Sequence, residues 1–166
     1  MEIVSINKSI RLSEHITLGE VTKSSHTEIN NIPSHVAIEN LKRVCVWLED
    51  LRFTYNSLYC LKPGEDYETS KNVEPIIINS GYRSPELNKK VGGAPTSNHL
   101  TGCAVDIHVA GIEQAMRYAV ILMDYADETQ QDYDELLIER NKSGRYWLHF
   151  AVCPKDNRRK TMFLRV

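Results

Sequence analysis

The stretch Ser97–Asp106, reading Ser-Asn-His-Leu-Thr-Gly-Cys-Ala-Val-Asp, constrains this chain more than any other. It brings a histidine and a carboxylate onto a segment that passes from a loop, through a glycine, into a β-branched run. Gly102 lets the backbone turn sharply or approach another group closely, so that Asp106 points back to the same cleft as His99. Imidazole nitrogen and carboxylate oxygen both suit zinc. A catalytic zinc site takes three protein ligands and keeps one position open, so a third donor is required. His149, in Tyr146–Phe150 on an expected strand, is the first candidate. His108 competes with it: two positions beyond Asp106, it shares that strand face and could serve as a replacement ligand or as a partner behind the ligands. His15, His26 and His35 lie in the polar N-terminal part and fit less well.

The rest of the chain reads as a frame for that segment. Residues 1–33 form an N-terminal wrap. A long helix starts near Ser34 and ends near Tyr55–Asn56, with Ile38, Leu41, Val44, Cys45, Leu48 and Leu51 recurring at helical spacing. Residues 62–74 form an exposed loop. Pro75–Asn79 is a buried strand ended by Gly81, and Ser84-Pro85 opens a short helix as cap and first residue. Residues 91–97 are a loop, Cys103–Ala110 a strand and Ile112–Tyr125 a second long helix. Leu136–Arg140 and Tyr146–Val152 pair across a tight loop, and Thr161–Val166 is a last strand. Helices first and strands later, without regular βαβ alternation, predict an α+β fold with a small antiparallel sheet flanked by helices.

Composition excludes several classes. With 166 residues, 42% of them hydrophobic, the chain can bury a core without disulfide staples, and it is read as one domain spanning residues 1–166. A net charge of -2 gives no footprint for nucleic acid, and the basic run Lys155–Lys160 is read as a solvated turn. No apolar run reaches membrane-spanning length, and Met1–Ser13 shows no secretory signal. Synthesis in the cytoplasm is expected, with retention there unless something else releases the protein. Cys45, Cys60, Cys103 and Cys153 form no CxxC pair, so they are expected to be reduced and inert. Trp47 and Trp147 are read as core aromatics.

Several stretches together resemble the zinc D-Ala-D-Ala carboxypeptidase family, which includes bacterial D,D-carboxypeptidases, D,D-dipeptidases and phage endolysins. Its SxHxxGxAxD motif is matched at Ser97, His99, Gly102, Ala104 and Asp106, and its WxH motif at Trp147 and His149. Ser80–Ser84, Leu87-Asn88 and Val91–Gly93 resemble its SGYRS…LN…VGG segment, and Asn30, Asn31 and Pro33 resemble the N-terminal part of a phage-like branch. The similarity covers about residues 10–153.

The resemblance implies His99, Asp106 and His149 as zinc ligands, Arg83 as a contact for the substrate carboxylate or the attacked carbonyl, and Ser97 as a residue orienting the substrate. It implies a hedgehog/D,D-peptidase-like fold, Zn2+ as cofactor, and hydrolysis of peptidoglycan peptides containing D-amino acids by a metal-activated water. Many members carry Glu or Asp three residues before the last histidine as catalytic base; here that position is Tyr146. The phage-like branch has a glutamate at the end of the preceding strand, which matches Glu139. If Asn141–Arg145 form a five-residue loop, Glu139 lies opposite Trp147 and joins the His149 face; a four-residue loop turns it away. Tyr146 also leaves a second class open, a catalytically inactive zinc-bearing binding or structural module, and a third is a scaffold without metal.

Overall fold

The computed structural model describes residues 7–166; the beginning of the N-terminal wrap lies outside the described residues. The wrap contributes a short helix, α1 (Leu18–Thr22), whose N-cap Thr17 forms a reciprocal capping box with Glu20. Ile16, Leu18 and Val21 enter the core. The long helix α2 (His35–Tyr55) starts after Ser34, whose side chain accepts from the Ala37 N–H. It runs into a wider turn at Asn56–Cys60.

The strand expected at residues 75–79 is shorter and later: β1 covers Ile78–Ser80 only. Ile76 and Ile78 are buried while Ile77 is exposed, so the apolar run alternates between core and solvent rather than being buried throughout. Helix α3 (Pro85–Lys90) is capped by Ser84 with Pro85 in its first turn. Strand β2 (Ala104–His108) precedes α4 (Ile112–Thr129), which runs four residues past its expected end. Strands β3 (Glu135–Arg140), β4 (Tyr146–Ala151) and β5 (Lys160–Arg165) complete the chain.

The five strands form one sheet in the order β1-β2-β4-β3-β5. The first three pairings are antiparallel, but β5 joins β3 in parallel, so the sheet is mixed. The chain leaves β4 at Ala151, opposite Glu135, and residues 152–159 cross the end of β3 to start β5 beside that same Glu135. The crossover is solvent-exposed over most of Lys155–Arg159, as its charge led us to expect, and ion pairs tie it down: Arg158 bonds Asp134 through Nε and Nη2, both at 2.7 Å, and Arg159 pairs with Asp127 and Asp132.

One face of the sheet, with Val105, Ile107, Leu136, Leu148 and Phe150, packs against α2 and α4. Trp47 on α2 is the centre of that core, set against Phe150, Tyr125 and Tyr133. Alternation sends Asp106, His149, Trp147, Glu135 and Glu139 to the opposite face. Trp147 is accordingly half-buried on the open face and not a core residue.

Candidate metal centre

Two glycine contacts position the ligand-bearing loops. At Gly81, a Cβ would collide with the Val21 backbone, whose carbonyl accepts from Tyr82 N–H at 2.7 Å. Gly102 has φ of 73° and lies against the Ala37 carbonyl of α2, so it both turns sharply and packs closely. Asn31 ties the wrap to the Ser80–Ser84 loop: its amide donates to Thr22 and Tyr82 carbonyls, each at 2.9 Å, and its oxygen accepts from Ser84 N–H. Asn40 on α2 holds the Thr101 carbonyl at 2.9 Å.

Within this frame His99 rides on a single 3₁₀ turn, Asn98–Thr101, and Ser97 is its N-cap, accepting from the His99 N–H at 3.3 Å. Asp106 and His149 face each other directly across β2 and β4. His99 Nε2 lies 3.3 Å from Asp106 Oδ2, and His149 Nδ1 lies 2.9 Å from Asp106 Oδ1. One ligand atom from each residue fits within 4.8 Å of the others. All three are buried, at 2%, 9% and 8% exposure for His99, Asp106 and His149.

The donor set suits a divalent cation by its hydrogen bonding as well as its spacing. A ligating imidazole needs an acceptor at its second nitrogen to fix the tautomer. His99 Nδ1 has the Gly81 carbonyl at 2.6 Å, and His149 Nε2 has Glu135 Oε2 at 3.4 Å. Each ring therefore turns its other nitrogen towards Asp106. Neighbouring ligand atoms of a tetrahedral zinc bound at ~2.0–2.1 Å stand roughly 3.3 Å apart, close to the separations found here.

The electrostatics are those of a tight, water-poor cluster. Burial alone would raise the Asp106 carboxyl, but His99 and His149 outweigh it and hold the carboxyl well below the usual range. Burial disfavours the His149 cation, yet bonds to Asp106 and Glu135 push its pKa up to about 9. Glu135 is pulled down to about 2, first by His149 and then by Lys160, against its own burial.

The remaining residues singled out by sequence fall as follows. Arg83 donates to Asp106 Oδ2 at 2.6 Å and to Ser80 Oγ at 2.9 Å, so its guanidinium lies on the ligand carboxylate. Glu139 stands opposite Trp147, with Arg140 opposite Tyr146, the register of the five-residue loop. Burial raises its carboxyl, and it feels the charges of His149, Asp106 and His99. His108 also faces Trp147 but is exposed at the strand end, outside the three-residue cluster. Cys103 is buried, and Cys153 Sγ sits 3.6 Å from Asn98 Oδ1; neither belongs to the cluster. Glu135 was missed by sequence reasoning. The available signal was its parity with Leu137 and Glu139, which puts it on their face.

No curated protein matches the chain. The model of the Peptidase M15 family matches residues 65–132, the part that carries Arg83, Ser97, His99 and Asp106. With the motifs on both sides of it, that match supports the zinc D-Ala-D-Ala carboxypeptidase-like M15 family for this chain, and with it a metallopeptidase.

Proposed function

We propose that the chain is a zinc-dependent hydrolase of peptidoglycan peptide bonds, acting as a D,D-carboxypeptidase or an endolysin-type endopeptidase within one domain spanning residues 1–166. The observation that carries this reading is the buried His99–Asp106–His149 cluster, with each ring's second nitrogen facing an acceptor. A bound zinc supplies a Lewis acid and lowers the pKa of its water toward ~7.

The chain's residues supply the rest. His99, Asp106 and His149 hold the ion. Glu139, half-buried on the same sheet face, is the base: its carboxylate takes a proton from the attacking water and returns it to the leaving amine. The raised carboxyl of Glu139 suits that exchange, because a base works best with a pKa drawn toward the operating pH. Arg83 orients Asp106 and presents positive charge beside the cluster, where a substrate carboxylate or developing oxyanion is stabilised. Ser97 shapes the turn that carries His99 and, through it, the wall against which the substrate is oriented. The substrate peptide contains D-amino acids, and the wall is reached after cytoplasmic synthesis by release as a phage-type lysin. No helix among the described residues is long and apolar enough to cross a membrane.

Digestion of purified peptidoglycan, with mass analysis of the fragments, tests the reading. Zinc-dependent release of terminal D-alanine or of cleaved stem peptides is expected. Intact peptidoglycan after incubation with zinc-loaded protein would favour the inactive module.

A further inference from the structure

We infer that Glu135 is the positioning residue of His149, holding the ring so that Nδ1 is the nitrogen offered to the metal; this rests on the reading of His99, Asp106 and His149 as ligands. An imidazole ligates through one lone pair, and the hydrogen on its other nitrogen must find an acceptor in a buried site. For His99 that acceptor is a backbone carbonyl. For His149 it is Glu135 Oε2, 3.4 Å from Nε2, on the side of the ring away from Asp106. A carboxylate in that place fixes ring orientation and makes the ligating nitrogen more basic.

Glu135 is itself held from three directions. Its Oε1 meets Lys160 Nζ at 3.2 Å and Arg158 Nη2 at 3.1 Å, and its Oε2 accepts from Asn98 Nδ2 at 3.3 Å. Asn98, next to His99 in the chain, also donates to Asp134 Oδ2 at 2.7 Å, the same oxygen that Arg158 Nη2 bonds. One polar network thus joins the turn carrying His99, the start of β3 and the crossover into β5. Arg158 and Lys160, far from the ligands in sequence and beyond the family match, hold the carboxylate that holds His149. A purely structural role, as an ion-pair clasp at the end of β3, would leave metal affinity unchanged.

Chelator competition measures the zinc dissociation constant of the full chain and of Glu135→Ala, Glu135→Asp and Glu135→Gln, with thermal melting to confirm folding. Loss of the acceptor in Glu135→Ala is expected to weaken zinc binding about 10–100-fold. Glu135→Asp keeps the charge but withdraws the oxygen by one methylene, and a several-fold loss is expected. Glu135→Gln keeps an acceptor oxygen and is expected to keep most of the affinity. The visible spectrum of the cobalt-substituted Glu135→Ala protein should shift, reporting a moved ligand. Wild-type affinity in Glu135→Ala and Glu135→Asp would overturn the positioning role alone, as would a loss in Glu135→Gln equal to that in Glu135→Ala. Absence of zinc binding by the unaltered chain would instead overturn the metal reading, and this role with it.

Discussion

His149 and Asp106 stand directly opposite each other on neighbouring antiparallel strands, with His149 Nδ1 2.9 Å from Asp106 Oδ1. Sheet register, not loop conformation, therefore sets their separation. Asp106 is also the anion beside Arg83, a pair in which both side chains are mostly buried. Replacing Asp106 with Ala leaves the guanidinium without its counter-charge and the His149 ring with Glu135 alone. In the metal-free protein the loss is expected to be about 3–5 kcal/mol, the usual penalty for removing one partner of a buried pair. Urea denaturation measures it; a loss under ~1 kcal/mol would mean that solvent or another carboxylate replaces Asp106.

Glu139→Gln keeps the side-chain shape and removes the proton acceptor. Peptide hydrolysis is expected to fall about 10²–10⁴-fold while zinc remains bound. Turnover on purified peptidoglycan, with zinc content measured on the same samples, checks both halves. Unchanged turnover would assign the base to another residue.

Gly102→Ala tests the close packing under the His99 turn. The substitution forces a side chain into a left-handed backbone position and onto the Ala37 carbonyl. A destabilisation of about 2 kcal/mol or more is expected, with zinc affinity falling as the turn shifts. A melting temperature equal to that of the unaltered chain would contradict the packing argument.

Glu49 anchors the N-terminal wrap to α2, accepting from Ser13 Oγ and His15 N–H and meeting His15 Nδ1 at 2.7 Å. Burial raises its carboxyl, but these bonds outweigh it, and its pKa is lowered on folding. A lowered carboxylate contributes stability above its unfolded pKa of ~4.3, and that contribution is lost as pH falls from there through the folded value. Glu49→Gln should therefore be less stable than the unaltered chain at pH 7, by about 1–2 kcal/mol, and the gap should close in acid. A gap that is constant from pH 7 to pH 3 would remove the ionised carboxylate from the account.

Much of this was legible from residue spacing. Ser34, Ser84 and Pro85 marked helix starts correctly because capping is local chemistry. The five-residue loop Asn141–Arg145 set Glu139 opposite Trp147, one of two registers that the sequence allowed. The parallel placement of β5 was not legible, since it depends on Arg158 and Arg159 reaching Asp134, Asp132 and Asp127, which are distant in the chain. Glu135 escaped for a related reason: its partner His149 becomes a neighbour only once β3 and β4 are in register. Trp147 looked like core by residue type, but strand parity sends it out with His149.

Metal content is the most direct test of the centre. After loading with zinc and exhaustive dialysis, elemental analysis of the unaltered chain should give stoichiometric zinc, and His99→Ala and His149→Ala should each give almost none. A chain that retains no zinc, or folded variants that retain all of it, would contradict the assignment of His99, Asp106 and His149 to a single ion.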